Sequence, residues 1–179
     1  MPKKRRVLLS ATALLGLAAT GLATSMPGAS ADDRAAAADT VIIHSAKNSR
    51  LVMDVQGASK ANGARIILYP RHGAANQRWQ IVPGQGDWFQ LRSVNSGRCL
   101  VNAYHSVQNG HGLTQMGCNS SYEDQFWARV PVGNGDKFTL VNKYSGKCAD
   151  QTLDGRPRTQ VIQWTCHGLS HQLWTAEKA

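Results

Sequence analysis

The side chains with chemical reach in this chain are amides, tryptophans, carboxylates and cysteines. The segment "NQRWQIV" begins at Asn76, "DQFWARV" at Asp124 and "HQLWTAE" at His171. Each carries Gln-x-Trp, and Gln77, Gln125 and Gln172 are spaced by 48 and 47 residues. Such amides can bond backbone or hydroxyl groups, but they do no covalent chemistry. The motifs of covalent or hydrolytic catalysis are missing: no G-x-S-x-G, H-E-x-x-H or P-loop occurs. Glycoside hydrolysis needs two carboxylates facing one bond, and the chain has only 11 Asp and Glu. An enzyme is not expected. Four cysteines, Cys99, Cys118, Cys148 and Cys166, allow three pairings. In an exported protein an even count reads as two disulfides. A zinc site wants closely spaced ligand pairs such as C-x-x-C, and none exists here. No metal and no cofactor are expected.

Export itself is read from the first residues. Lys3, Lys4, Arg5 and Arg6 precede an Ala/Leu-rich run, and Ala29-Ser30-Ala31 fits a cleavage site. This predicts a secretory signal peptide over 1–31, a short linker over 32–40 and a secreted, extracellular product. A permanent membrane anchor is disfavoured, because Gly16, Thr20, Gly21, Thr24 and Ser25 interrupt the run. The leader holds four of the 20 Lys and Arg and none of the acids, so without it the formal charge falls from +9 to +5. That balance is ordinary for solubility, and no basic run survives to bind nucleic acid. A monomer is expected, with no membrane contact after cleavage.

The elements that position these residues come in three copies. The units begin near "IHSAKNSR", "RSVNSGR" and "LVNKYSGK", and each ends in Gln-x-Trp. Each alternates short apolar segments with Ser/Asn/Gly turns, which signals all-β structure. "RIILY" and "TQVIQW" are β-branched and too short for stable helices. Aligning the units puts Cys99 and Cys118 in the same two slots as Cys148 and Cys166, so each pair closes within its unit. In the first unit those slots hold Val52 and Arg71. Three units are too few for an ordinary propeller. Closed around a threefold axis they make a β-trefoil. If Gln-x-Trp lies on a strand, Gln and Trp share a face. Trp79, Trp127 and Trp174 are then core residues, with the glutamines satisfying backbone groups where the chain turns in.

The three registered Gln-x-Trp units, the matched cysteines and the Cys-x-Asp-type and apolar-aromatic segments upstream resemble ricin B-type lectins. Carbohydrate-binding module family 13 belongs to the same group. The resemblance covers about 41–176. It implies a β-trefoil with one possible shallow sugar site per unit, built from an early Asp, a central aromatic and Asn-Gln before the core Trp. The residue types suit a sugar. A carboxylate accepts hydroxyl hydrogens in charge-assisted bonds, and an amide both donates and accepts. A flat ring covers the C–H face.

On this pattern the first unit supplies Asp54, Tyr69, Asn76 and Gln77. The third supplies Asp150, Trp164 and Gln172, with His171 in place of the Asn. The second has Val101, Met116 and Asp124 in those slots and reads as scaffold, with Asn102, Tyr104 and His105 as the residues left for another contact. His72 and His167 are expected at the site rims. The resemblance therefore implies a non-catalytic carbohydrate binder working through the first and third units, on galactose-type sugars or plant polysaccharide such as xylan. The alternative is a secreted β-trefoil that binds protein, such as a protease inhibitor, through 104–112.

Overall fold

The computed structural model describes residues 40–152 and 154–179. The leader expected over 1–31, and the linker apart from Thr40, lie outside the described residues. Among the described residues, twelve antiparallel strands form one sheet system: β1 (Thr40–Ser45), β2 (Leu51–Val55), β3 (Ile66–Pro70), β4 (Trp79–Pro83), β5 (Phe89–Ser93), β6 (Cys99–Val101), β7 (Thr114–Met116), β8 (Trp127–Pro131), β9 (Phe138–Asn142), β10 (Cys148–Asp150), β11 (Ile162–Trp164) and β12 (Trp174–Lys178). The helical turns among the described residues are five 3-10 turns of three residues each. No helix among these residues is long and apolar enough to cross a membrane.

Strands β1, β4, β5, β8, β9 and β12 pair in a closed ring. Closure removes the unpaired edges of an open sheet. The remaining strands form three hairpins, β2–β3, β6–β7 and β10–β11, one per repeat. The hairpins meet on the axis through a cycle of backbone bonds. Ile66 N–H donates to Leu113 O (3.0 Å), Leu113 N–H to Val161 O (2.8 Å) and Val161 N–H to Ile66 O (2.9 Å). All three side chains are wholly buried in the core. This is a β-trefoil with three repeats in pseudo-threefold arrangement, as the repeat pattern predicts.

The tryptophans are equivalent. Trp79, Trp127 and Trp174 are fully buried at the starts of β4, β8 and β12. Their indole N–H groups donate to Met53 O, Leu100 O and Ala149 O at 3.4, 3.1 and 3.1 Å. Each ties the barrel to the hairpin that carries the acid slot of its own repeat. The glutamines differ from the expectation in one respect. Gln77, Gln125 and Gln172 end 3-10 turns (Ala75–Gln77, Glu123–Gln125 and Ser170–Gln172) and precede the strands instead of sharing them. Only from there can one amide reach both the entering loop and the hairpin beneath.

Both disulfides join the expected partners, Cys99 with Cys118 and Cys148 with Cys166. In the first repeat Arg71, in the empty slot, donates from Nη2 to Glu177 Oε1 (2.6 Å) on β12. His44 Nε2 meets the other oxygen of Glu177 at 2.9 Å. An exposed ion pair replaces the covalent link there.

Candidate functional site

Hairpin register brings the predicted residues into equivalent places. Across β2–β3, Tyr69 faces Val52 and Asp54 faces Ile67. Across β10–β11, Trp164 faces Cys148 and Asp150 faces Ile162. The second repeat pairs Met116 with Cys99 and Val101 with Thr114. In each hairpin, acid slot and aromatic slot lie two residues apart on facing strands, a distance that long side chains span.

In the first repeat, Asp54 is buried to 2 % exposure at the back of a pocket lined by Tyr69, His72, Asn76 and Arg158. Its Oδ2 accepts from Asn76 Nδ2 and Gln77 Nε2, both at 2.9 Å. His72 Nε2 stands 3.4 Å from the same oxygen. Burial pushes the Asp54 carboxyl above the ordinary carboxylate range. The Gln77 bond, the charge of His72 when protonated and the Asn76 bond act in the opposite direction. The result is an acceptor fixed in place by amide donors in a pocket whose wall includes the Tyr69 ring. Arg158 places its guanidinium 5.9 Å from the Tyr69 ring centroid. It comes from the third repeat, so the first pocket is completed by a neighbour.

The third repeat repeats the plan. Asp150, 3 % exposed, accepts at Oδ2 from Gln172 Nε2 (2.9 Å) and at Oδ1 from Thr152 N–H (2.7 Å). Trp164 is 41 % exposed, and with His167, Leu169 and His171 it lines a pocket of about 770 Å³, against about 430 Å³ in the first repeat. The larger ring leaves a wider apolar wall. His171 Nε2 lies 3.7 Å from Asp150 Oδ2, too far to copy the Asn76 bond.

Two of the predicted residues take a different role. Gln77 and Gln172 are wholly buried and line neither pocket. Gln77 donates to Asp54 and Pro70 O (3.0 Å) and accepts from His72 and Gly73 N–H (2.8 and 3.0 Å). That is the full capacity of a primary amide, leaving nothing for a ligand. Gln172 likewise donates to Asp150 and Thr165 O (3.0 Å) and accepts from His167 N–H (2.9 Å). Both hold the carboxylate and the entering loop; neither faces the pocket. His72 and His167 do stand beside the carboxylates, as expected.

The second repeat is less bare than its sequence implies. Val101 and its half-buried slot partner Met116 offer no acceptor, but Asp124 is buried in the position of Asn76. Its Oδ2 lies 3.3 Å from His105 Nδ1, and its Oδ1 is buried without a partner. Burial pushes this carboxyl up as well. The His105 ring meets Tyr122 and Tyr144 edge-on, with centroids 5.6 and 5.0 Å apart. The signals for this cluster were three separated aromatics that no single unit groups. With its acid gone from the hairpin, Gln125 turns to Gly117 O, Asn119 N–H and Gln90.

The model of the ricin-type β-trefoil lectin domain matches residues 39–174, and the chain belongs to that family. Among solved structures, a designed threefold-symmetric protein, ThreeFoil, is 26 % identical with a TM-score of 0.73, over 76 % of this chain and 96 % of that one. A ricin B-like lectin of Macrolepiota procera, solved with lactose, is 25 % identical with a TM-score of 0.66, over 79 % and 96 %. An exo-β-1,3-galactanase of Clostridium thermocellum matches at 23 % identity and a TM-score of 0.72, over 78 % of this chain and 30 % of its own, which is a likeness of fold. No curated protein sequence matches the chain.

Proposed function

We propose that this chain is a secreted, non-catalytic lectin that binds carbohydrate through the pockets of its first and third repeats. The observation that carries the reading is a buried carboxylate, oriented by a buried glutamine, beside an aromatic wall in both. Asp54 and Asp150 are the hydroxyl acceptors; Tyr69 and Trp164 cover the C–H face of a ring; Asn76, whose Nδ2 hydrogens go to Asp54 and Val55 O, offers its amide oxygen in the first pocket. The lectin family and the lactose complex of the Macrolepiota lectin support a galactose-type ligand, with plant polysaccharide such as xylan as the extended form. No step of bond cleavage is needed, and Asp54 and Asp150 belong to separate pockets, which disfavours a glycosidase pair.

A shallow single site binds weakly, near millimolar or about −4 kcal/mol. Two sites on one polymer raise retention by avidity where the geometry lets both engage. A glycan array with an insoluble-polysaccharide pull-down tests the assignment. Asp54→Ala and Asp150→Ala each reduce retention, and the double variant nearly abolishes it. Full retention by a folded double variant refutes the sites.

A protein-binding reading draws on one observation. The 104–112 loop presents Tyr104 at 84 % and Val107 at 59 % exposure. Inhibition in a protease panel that survives both Asp substitutions would favour it.

A further inference from the structure

We propose that the third repeat is also a transition-metal site of the Zn²⁺ type, with Asp150 Oδ2, His167 Nε2 and His171 Nε2 as ligands. The two imidazole nitrogens are 3.2 Å apart. They lie 3.8 and 3.7 Å from the carboxylate oxygen. A triangle with these sides has a circumradius of about 2.1 Å, which is the Zn–N and Zn–O bond length. An ion at that centre reaches all three atoms at once, and closing of the rings by a few tenths of an ångström lifts it out of the plane toward tetrahedral geometry.

The ligand set suits the chemistry. Two imidazoles and one carboxylate are borderline ligands of the kind zinc takes in sites with an open fourth position. Here the fourth position faces the Trp164 pocket, where water or a ligand hydroxyl can occupy it. The carboxylate is held from behind by Gln172 and by the Thr152 N–H, the outer bonding that orients metal ligands. The Asp150 and His171 side chains are only 4 % and 12 % exposed, so two of the three ligands are placed before any ion arrives. Binding has one local requirement. The Leu169 N–H now points at His167 Nδ1 (3.2 Å), and that nitrogen must carry the proton when Nε2 binds metal. One long hydrogen bond is exchanged for a coordinate bond.

The other repeats provide the internal control. The first has Asp54 and His72, but its third group is the Asn76 amide, which donates to Asp54. The second has Asp124 and His105, whose ring meets tyrosines. Among the described residues, Asp150, His167 and His171 are the group of three that can converge on one ion. The expectation of no metal rested on the absence of close cysteine pairs, which bears only on a thiolate site. This one is made by His171 standing where the first repeat has Asn.

Titration of the tag-free, chelator-stripped chain with zinc chloride in a calorimeter tests the proposal. One equivalent is expected to bind and to raise the melting temperature. His171→Asn, which restores the first-repeat residue, and His167→Gln each weaken binding by about 100-fold or more, since loss of an outer-shell partner alone removes 10–100-fold. His105→Gln leaves it unchanged. Absence of binding by the wild-type chain overturns the proposal, as does undiminished binding by the His167→Gln, His171→Asn double variant. The proposal does not rest on the lectin reading. Glycan retention measured in chelator fails only if that reading is wrong, and zinc titration without glycan fails only if this one is.

Discussion

The first and third repeats are the same device built with different fastenings. Both bury an aspartate, hold it with the glutamine of Gln-x-Trp and set an aromatic across the hairpin. The first fills the remaining place with Asn76, which donates to the carboxylate, and borrows Arg158 from its neighbour. The third fills it with His171, which leaves the carboxylate one amide donor poorer and one imidazole richer. The first is closed by an ion pair to β12 and the third by a disulfide. The scaffold has thus been kept while the groups facing the pocket have been exchanged. Where the backbone is common, a difference of one side chain changes what a pocket can bind.

The equivalence of the scaffolds is the part most open to attack. Trp79→Ala and Trp174→Ala should each cost about 3–5 kcal/mol, by chemical denaturation. A cost for one far below the other breaks the symmetry of the core. Next comes the fastening. Replacing Cys148 and Cys166 together by alanine should cost about 3 kcal/mol, the entropy of a loop of that length. A third repeat that loses under a third of this is held by its packing, as the first must be.

The buried Asp54 makes the first pocket sensitive to pH. With the Asp54 carboxyl raised by burial, its acceptor charge is lost from the first pocket as pH falls, before an ordinary carboxylate protonates. Charge-assisted bonds of about 1.5–3 kcal/mol are then forfeited. Galactose or xylan binding by an Asp150→Ala chain, which leaves the first pocket alone, should therefore fall at a pH above the usual aspartate range. The sign for stability is opposite. A raised folded-state value means the native chain holds this proton more tightly than the unfolded one, so stability rises as pH falls through that window and is lost again as pH rises. A binding midpoint in the ordinary aspartate range would show that the bound ring, not burial, governs the charge. The smallest effect belongs to Arg71. Its pair with Glu177 is exposed, and Arg71→Ala should cost less than about 1 kcal/mol.

The repeat, the all-β trefoil, the disulfide partners and the buried tryptophans were legible because each rests on spacing, and spacing survives as sequence. Asp54, Tyr69, Asp150 and Trp164 were legible because facing strands convert fixed offsets into fixed positions. Gln77 and Gln172 were legible as amides that satisfy the turning backbone, but not as amides turned away from the ligand, because an amide reads alike whether it faces a ligand or a loop; only the account of its bonds decides. Arg158 was invisible for another reason. It reaches the first pocket from the repeat on its other side, and alignment of units looks only within each unit. Asp124 was legible as a loss from the hairpin but not as an acid moved to the opposite wall, since the 3-10 turn that buries it has no periodicity to read.

One feature of the barrel bears on how the molecule comes into being. The first strand, Val41 to Ser45, pairs along its length with the last, Trp174 to Lys178, and the Ala179 N–H closes on Thr40 O at 2.9 Å. The seam therefore cannot form until both strands are present, and the earliest strand waits for the latest. Pairings so distant along the chain slow folding. The same adjacency makes the ends interchangeable with any exposed turn. A short linker joining them, with new termini cut at the 133–136 turn, should return the same barrel by circular permutation and let the seam form first.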